Sequence, residues 1–224
     1  MSSSATQLHK LGEKIVDGSG RVFRYCKAGA VALVPGKLQQ SSAETTAHQD
    51  LACAAAAIGA TTITTTSTVT VTANEYAGGF VMVTVTPGQG YQYRIKSHPA
   101  ATAAAVTLTL EDPIQVALTT SSRVDLVRNP YSAVIVNPTT LTSTPIGVAV
   151  YPIAASEFGW IQTGGIANVL ADGANAVGAA VVASNGVAGA VEDAAGPGAQ
   201  GPQVGSCVTG AADTEYGAVL LSLP

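Results

Sequence analysis

The chain has 224 residues, enough for one or two domains with a real core. It is 47% hydrophobic, 11% charged and 5% aromatic, so that core must be made of small side chains, chiefly Ala and Val. A formal net charge of −4 singles out neither nucleic acid nor a membrane as partner, and 24 glycines suit tight turns better than helices. So little charge on a soluble chain has two physical explanations: hydroxyl-rich strands that stay wet, or a surface covered by partners.

Residues 1 to about 10 are polar and expected to be mobile. Strands are predicted around Glu13–Val16 and Arg21–Lys27, joined by the turn Asp17-Gly18-Ser19-Gly20. In the second strand Val22, Arg24 and Cys26 fall on one face and Phe23, Tyr25 and Lys27 on the other. Neither face is cleanly apolar, so the hairpin fits between two surfaces. An apolar run then closes on Pro35-Gly36. Residues 41–57 are the one stretch with a helical option. Its alanines favour helix, its Ser/Thr-rich start and Ile58-Gly59 limit it, and helix and loop stand level.

From Thr61 the sequence TTITTTSTVTVT carries eight threonines in twelve residues. β-Branched side chains restrict the first side-chain torsion and favour strand. Further on, Val106, Leu108 and Leu110 alternate with Thr107, Thr109 and Glu111, the period of a half-buried strand. Tyr91, Tyr93 and Ile95 share a face after the turn Pro87–Gly90. Residues 58–130 therefore read as a β-layer of about five to seven strands. Residues 131–158, punctuated by Pro138, Pro145 and Pro152, read as a connector. Gly159–Pro224 is predicted to be short valine-rich strands of roughly five to eight residues, cut by Gly, Asp172-Gly173, Asn185-Gly186 and Gly-Pro signals. The fold class is all-β: a small antiparallel β-barrel or sandwich plus a second β-layer, with an extended N-terminal arm. The expected divisions are 1–45 (arm and hairpin), 46–130 (threonine-rich layer, inserted or added) and 131–224 (connector and C-terminal barrel).

Charge is segregated along the chain. Six bases (Lys10, Lys14, Arg21, Arg24, Lys27, Lys37) stand against Glu13 and Asp17 in residues 1–37, no base follows Arg128, and six acids follow residue 130. A basic arm and an acidic body would complement each other between neighbouring subunits, or would complement a partner. An arm of that kind could be deleted without unfolding the rest.

No catalytic constellation stands out. His9, His48 and His98 form no HxH or HExxH arrangement, and Cys26, Cys53 and Cys207 have no metal-like spacing, so neither a metal, a disulfide framework nor a cofactor is expected. His48-Gln49-Asp50 reads as a polar loop, His98-Pro99 as a strand end, and Ser206-Cys207 as part of a strand with a buried thiol. Glu111-Asp112 and Glu192-Asp193 are sequence neighbours that point to opposite faces of a strand, so neither makes an acid–base dyad. The glycine-rich segments GGIANVLADG and PGAQGPQVG lack the Lys-Ser/Thr and the helix that a phosphate cradle needs. RVFRYCK and YQYRIK interleave bases with aromatics, yet a structural sheet face explains them better than single-stranded nucleic acid does. With no apolar stretch of signal-peptide length and none of the ~18 residues a bilayer span needs, a protein made in a reducing cytoplasm is expected.

GRVFRYCKAGAVALVPGKLQQ resembles the opening of structural proteins of tailed bacteriophages. The closing third is similar to the small barrel of phage capsid decoration, or cement, proteins, at Leu170–Gly173, Gly189–Val191, Val204-Gly205 and Val219–Leu221. The two ends carry this resemblance; the middle, 58–130, departs from it. The resemblance implies a non-catalytic virion protein on the outer capsid surface, a homo-oligomer (typically a trimer) that bridges subunits of the major capsid protein. Arg21, Arg24 and Lys27 are then candidate contacts to acidic capsid partners. A tail-tube, head-fibre or collar protein is the alternative within the virion, and a carbohydrate-binding adhesin module the alternative outside it.

Overall fold

A computed structural model describes residues 1–196 and 201–223. The chain is all-β. In order come β1 (Lys14–Val16), β2 (Val22–Lys27), β3 (Leu38–Gln40), β4 (Leu51–Cys53), β5 (Thr62–Thr66) and β6 (Thr70–Val71). Then follow β7 (Phe80–Val85), β8 (Gln92–Ser97), β9 (Ala101–Thr102), β10 (Ala105–Leu110), β11 (Arg123–Val127) and β12 (Ile135–Val136). The last are β13 (Pro145–Ala149), β14 (Phe158–Leu170), β15 (Ala180–Ala183), β16 (Val191–Asp193), β17 (Gly205–Cys207) and β18 (Tyr216–Ser222). The chain falls into two compact units, Glu44–Asn129 and Met1–Ala43 with Pro130–Pro224.

The Glu44–Asn129 unit is a closed six-stranded barrel in the order β10-β5-β4-β11-β7-β8, with β6 and β9 paired beside it. Its core follows from alternation. Val106, Leu108 and Leu110 of β10 are buried and Thr107 is exposed; Ile63 and Thr65 of β5 are buried between exposed or half-buried threonines. Closure therefore falls on the threonine-rich segment and not on the last third. A hydroxyl face turned outward stays wet while small branched residues fill a narrow interior. Of residues 41–57, Thr46–His48 form a single 3-10 turn and Leu51–Cys53 a strand, because Leu51 and Cys53 alternate into this core.

The other unit is built on β14. Its first half pairs with β2, Phe158 opposite Lys27 and Trp160 opposite Tyr25; its second half pairs with β18, Ile166 opposite Leu220 and Leu170 opposite Tyr216. Around it a ten-stranded sheet runs β12-β3-β13-β14-β18-β17-β15-β16, with the β1–β2 hairpin attached at β14. The sequence breaks expected at glycine do not occur in β14. Gly164-Gly165 instead make a bulge, with a register shift before Gly164 and Gly165 at φ +78, and the strand continues for 13 residues. The expected connector is core: every residue of β13 is buried, and its Pro145 only opens the strand. Asp172-Gly173 is no hairpin, since β14 and β15 do not pair, whereas Asn185-Gly186 lies in the loop joining the paired β15 and β16. Pro197–Gln200 of the expected Gly-Pro loop lie outside the described residues.

The N-terminal segment is laid into this sheet. Ser4 bridges Phe158, the Leu8 N–H donates to the Tyr25 hydroxyl at 3.1 Å, and the His9 ring packs edge-on against Tyr25 and Trp160. Phe23, Tyr25, Cys26 and Leu33 are buried. The expectation that residues 1–37 are dispensable for folding is thus overturned: they supply strands and core.

One local unit recurs that composition alone hides. A bridging residue is followed by a four-residue turn and then a strand: Leu33 with Val34–Lys37, Ile153 with Ala154–Glu157, Asn175 with Ala176–Ala179, Ala211 with Ala212–Glu215. The barrel repeats it at Ala56 with Ala57–Ala60 and Leu118 with Thr119–Ser122. The bridges pair these corners antiparallel: Leu33 with Ile153, Asn175 with Ala211, Ala56 with Leu118. Gly36, Ser156, Gly178, Thr214 and Gly59 occupy the third turn position with φ between +63 and +86. That left-handed conformation costs a β-branched residue about 1–2 kcal/mol, so Thr214→Gly is expected to stabilise the protein by about 0.5–1 kcal/mol after the extra chain entropy of glycine. Thermal unfolding measures it. Gly36→Ala should do the opposite, because an added Cβ would lie 2.5 Å from Cε1 of Tyr216.

Candidate functional site

The most site-like surface lies on β14 and β18. Cross-strand partners share a face, and their neighbours point the other way. Ala167, Val169, Val219 and Leu221 point into the core, whereas Ile166 and Leu220, paired across the strands, are 54% and 48% exposed. The row continues through Ser206 of β17 to Ala180 of β15. Asn168 and Ala218 form the next row. No charged side chain belongs to either row.

Beside this face runs a groove of about 430 Å³, lined by Arg21, Pro35, Gly36, Gln162, Ile166 and Tyr216 among others. Its floor is a strand edge. Residues 165–169 pair with β18 on one side only. On the other, the Gln162 side-chain amide donates to the carbonyls of Gly164 (3.0 Å) and Ile166 (2.9 Å), and Gly36 accepts from the Leu170 N–H. Gln162 therefore stands in for a missing strand and blunts an edge that could otherwise recruit one.

The three candidate contact residues are not brought together. Arg21 sits by the groove, held by Asp17 at 2.8 Å and lying over the Phe23 ring. The Ser19 hydroxyl, with the N–H groups of Arg21 and Ser19 and the Arg21 side chain, keeps the Asp17 carboxyl down at about 2. Arg24 donates to the Gly12 carbonyl at 2.9 Å and covers Tyr131, whereas Lys27 lies over Phe158. Arg24 and Lys27 are an odd number of residues apart in one strand, so they serve opposite faces.

The barrel holds a polar cluster that the sequence does not announce. His48, expected in a polar loop, is 1% exposed, and its Nδ1 meets the Tyr76 hydroxyl. Tyr76 is itself buried and donates its backbone N–H to Nε2 of His98 at 3.0 Å. The Arg128 guanidinium covers the Tyr76 ring and pairs with Glu75. These residues lie far apart in sequence, so no spacing signal links them. The thiols are inert by burial, which pushes Cys26 up to about 12 and also raises Cys53 and Cys207. Among the described residues no group of three His, Cys, Asp or Glu side chains could hold a metal ion. No protein-family model matches the chain, nor does any curated protein or solved structure.

Proposed function

We propose that the protein is a virion structural protein that decorates the outer surface of a phage capsid and stabilises it by bridging major capsid protein subunits, acting as a homo-oligomer, in the first instance a trimer. The observation that carries this reading is the uncharged row Ile166–Leu220–Ser206–Ala180 beside the Gln162 groove. Half-exposed Ile and Leu at adjacent positions on a rigid sheet lose water when a partner covers them; complete burial of one such side chain is worth about 1.5–3 kcal/mol. Low charge at the centre of the patch avoids desolvating ions. Many weak contacts around a shell then sum through multivalency.

Mixing the protein with mature, undecorated capsids and sedimenting them tests the reading. The wild type should pellet with the shell. The variant Ile166→Lys with Leu220→Glu keeps a favourable cross-strand pair; it should retain its unfolding temperature within a few degrees and bind at least about tenfold more weakly. Failure of the wild type to cosediment, or undiminished binding by the variant, overturns the proposal.

A further inference from the structure

We propose that the Gln162 groove receives a short extended peptide, laid antiparallel against Ile166–Asn168 of β14. The preceding reading makes its source the major capsid protein, and the inference rests on that reading for the source alone. Strand parity shows which backbone groups await the peptide. Asn168 lies opposite Ala218, yet the Ala218 N–H goes to Oγ1 of Thr209 at 2.9 Å and its carbonyl accepts from the Val208 N–H, both on the side of β18 away from β14. Leu170, of the same parity as Asn168, sends its N–H to the Gly36 carbonyl. Ile166 and Asn168 therefore turn their N–H and C=O groups to the groove, and Gly165, Ala167 and Val169 carry the ladder to β18. Gln162 serves only part of this edge. Both hydrogens of its amide go to carbonyls, those of Gly164 and Ile166. The Ile166 N–H, the Asn168 N–H and the Asn168 carbonyl have no hydrogen-bond partner. Neither has Oε1 of Gln162, in a residue only 1% exposed.

Groups of this kind at alternate residues of one edge are matched by a peptide main chain, which offers C=O and N–H at the same spacing. The gap is short. β2 holds this strand row as far as Val22, opposite Gly164, and Gly36 takes the row up again at Leu170. The peptide therefore spans the positions opposite Gly165–Asn168 and enters and leaves as the tip of a loop. Among the described residues neither end of a second copy is spare: Ser4 bridges Phe158, and the Leu223 N–H is tied to the Thr163 carbonyl. Arg21 is the one charged side chain among the described residues that line the groove. It stands at the Gly165 end, where an added Cβ would lie 3.1 Å from the Arg21 Cα. Asp17 offsets part of its charge from outside the groove, and the two bare N–H groups add to the positive side. An acidic residue at that end complements it. Every strand paired with β14 runs antiparallel to it, which puts the acid at the C-terminal end of the peptide. The residue opposite Ile166 extends the outer apolar row, and the residue opposite the inward-facing Ala167 must be small.

Amide-resolved hydrogen exchange tests the edge in the free protein. Ile166 and Asn168 should exchange at least about a hundredfold faster than Ala167 and Val169, whose N–H groups bond β18; equal protection overturns the inference. On sedimented capsids the same two amides should slow by at least about tenfold. Asn168→Pro removes one groove-facing N–H and leaves the β18 ladder and the Ile166–Leu220 pair in place, so it should bind capsids at least about tenfold more weakly than Asn168→Ala. Capsid binding with both amides still fast overturns the inference and leaves the capsid reading standing. Protection that grows with protein concentration and needs no capsid makes a second copy the occupant, and overturns it as well. If capsids do not bind, the capsid reading falls, and a blocked tetrapeptide of valine, serine, valine and aspartate, in that order and at millimolar concentration, decides for the groove. It should shift the Ile166 and Asn168 amide resonances, and shift them less with lysine in place of the aspartate. Unmoved resonances mean a groove that holds water only, and overturn the inference. Should Asn168→Pro fail to fold, the exchange of the wild type, free and on capsids, decides.

Discussion

A chain lacking residues 1–37 is expected to lose cooperative folding of the ten-stranded sheet. The segment looks dispensable by composition, being polar at its start and rich in charge, yet it is built into the sheet along β14. Phe23, Tyr25, Cys26 and Leu33 are each at most 2% exposed. Truncating one buried aromatic to alanine costs about 3–5 kcal/mol, against about 5–15 kcal/mol for the stability of a whole domain. Deletion also strips the ladder from Phe158–Gly164 and removes the Gly36 N–H and carbonyl that tie Ala149 to Leu170. Trp160, the sole tryptophan, packs against Tyr25 and His9, so its fluorescence reports the loss directly. A truncated chain with an unchanged cooperative transition and a blue-shifted Trp160 would sink this expectation. The consequence for function is practical: a binding defect after such a deletion says nothing about contacts made by Arg21, Arg24 or Lys27.

Strand periodicity was legible wherever one face meets water. β10 and the β1–β2 hairpin could be placed from alternation and turn residues, because a half-buried strand must alternate. β13 could not, since a strand buried on both faces carries no alternation and its flanking prolines resemble loop punctuation. β14 was hidden for another reason: two glycines that normally break a strand here absorb a bulge between two different partners. Which segment closes into a barrel depends on pairings between residues such as Thr66 and Ala105, or Leu51 and Val124, that no local pattern specifies. The site was legible in part. A charged share of 11% points to a surface with little charge, but the pairing that sets Ile166 beside Leu220 is a register fact. Of the contact residues taken from the basic arm, Arg24 and Lys27 cannot share a face for the simplest of reasons, strand parity, and Arg21 precedes the strand.

Arg128→Ala is expected to destabilise the Glu44–Asn129 unit by about 3 kcal/mol, the cost of stranding a largely buried carboxylate. Glu75 and Arg128 are 12% and 25% exposed as side chains, so solvent screens them weakly. Burial pushes the Glu75 carboxyl up, but the Thr72 N–H, at 2.8 Å, together with the Arg128 guanidinium and the Thr72 hydroxyl, outweighs it and holds the group below its ordinary value. A carboxyl held low contributes stability above its unfolded value near pH 4.3 and loses that contribution as pH falls through its folded value. Removing Arg128 takes away the cation and the cover over Tyr76 together, so the deficit should be full at pH 7 and should shrink in acid, reaching its floor only below the depressed Glu75 value of the wild type, where the carboxyl is protonated in both proteins. Arg128→Lys should rescue little, because an ammonium cannot both pair with Glu75 and lie flat on the ring. Glu75→Gln combined with Arg128→Ala should be less destabilised than Arg128→Ala alone, since no ion is then left unpaired. Denaturant unfolding of the wild type, Glu75→Gln, Arg128→Ala and the double variant at pH 7 and pH 4 gives the coupling; additive losses at pH 7 would mean that the pair contributes nothing and that Arg128 acts by packing alone.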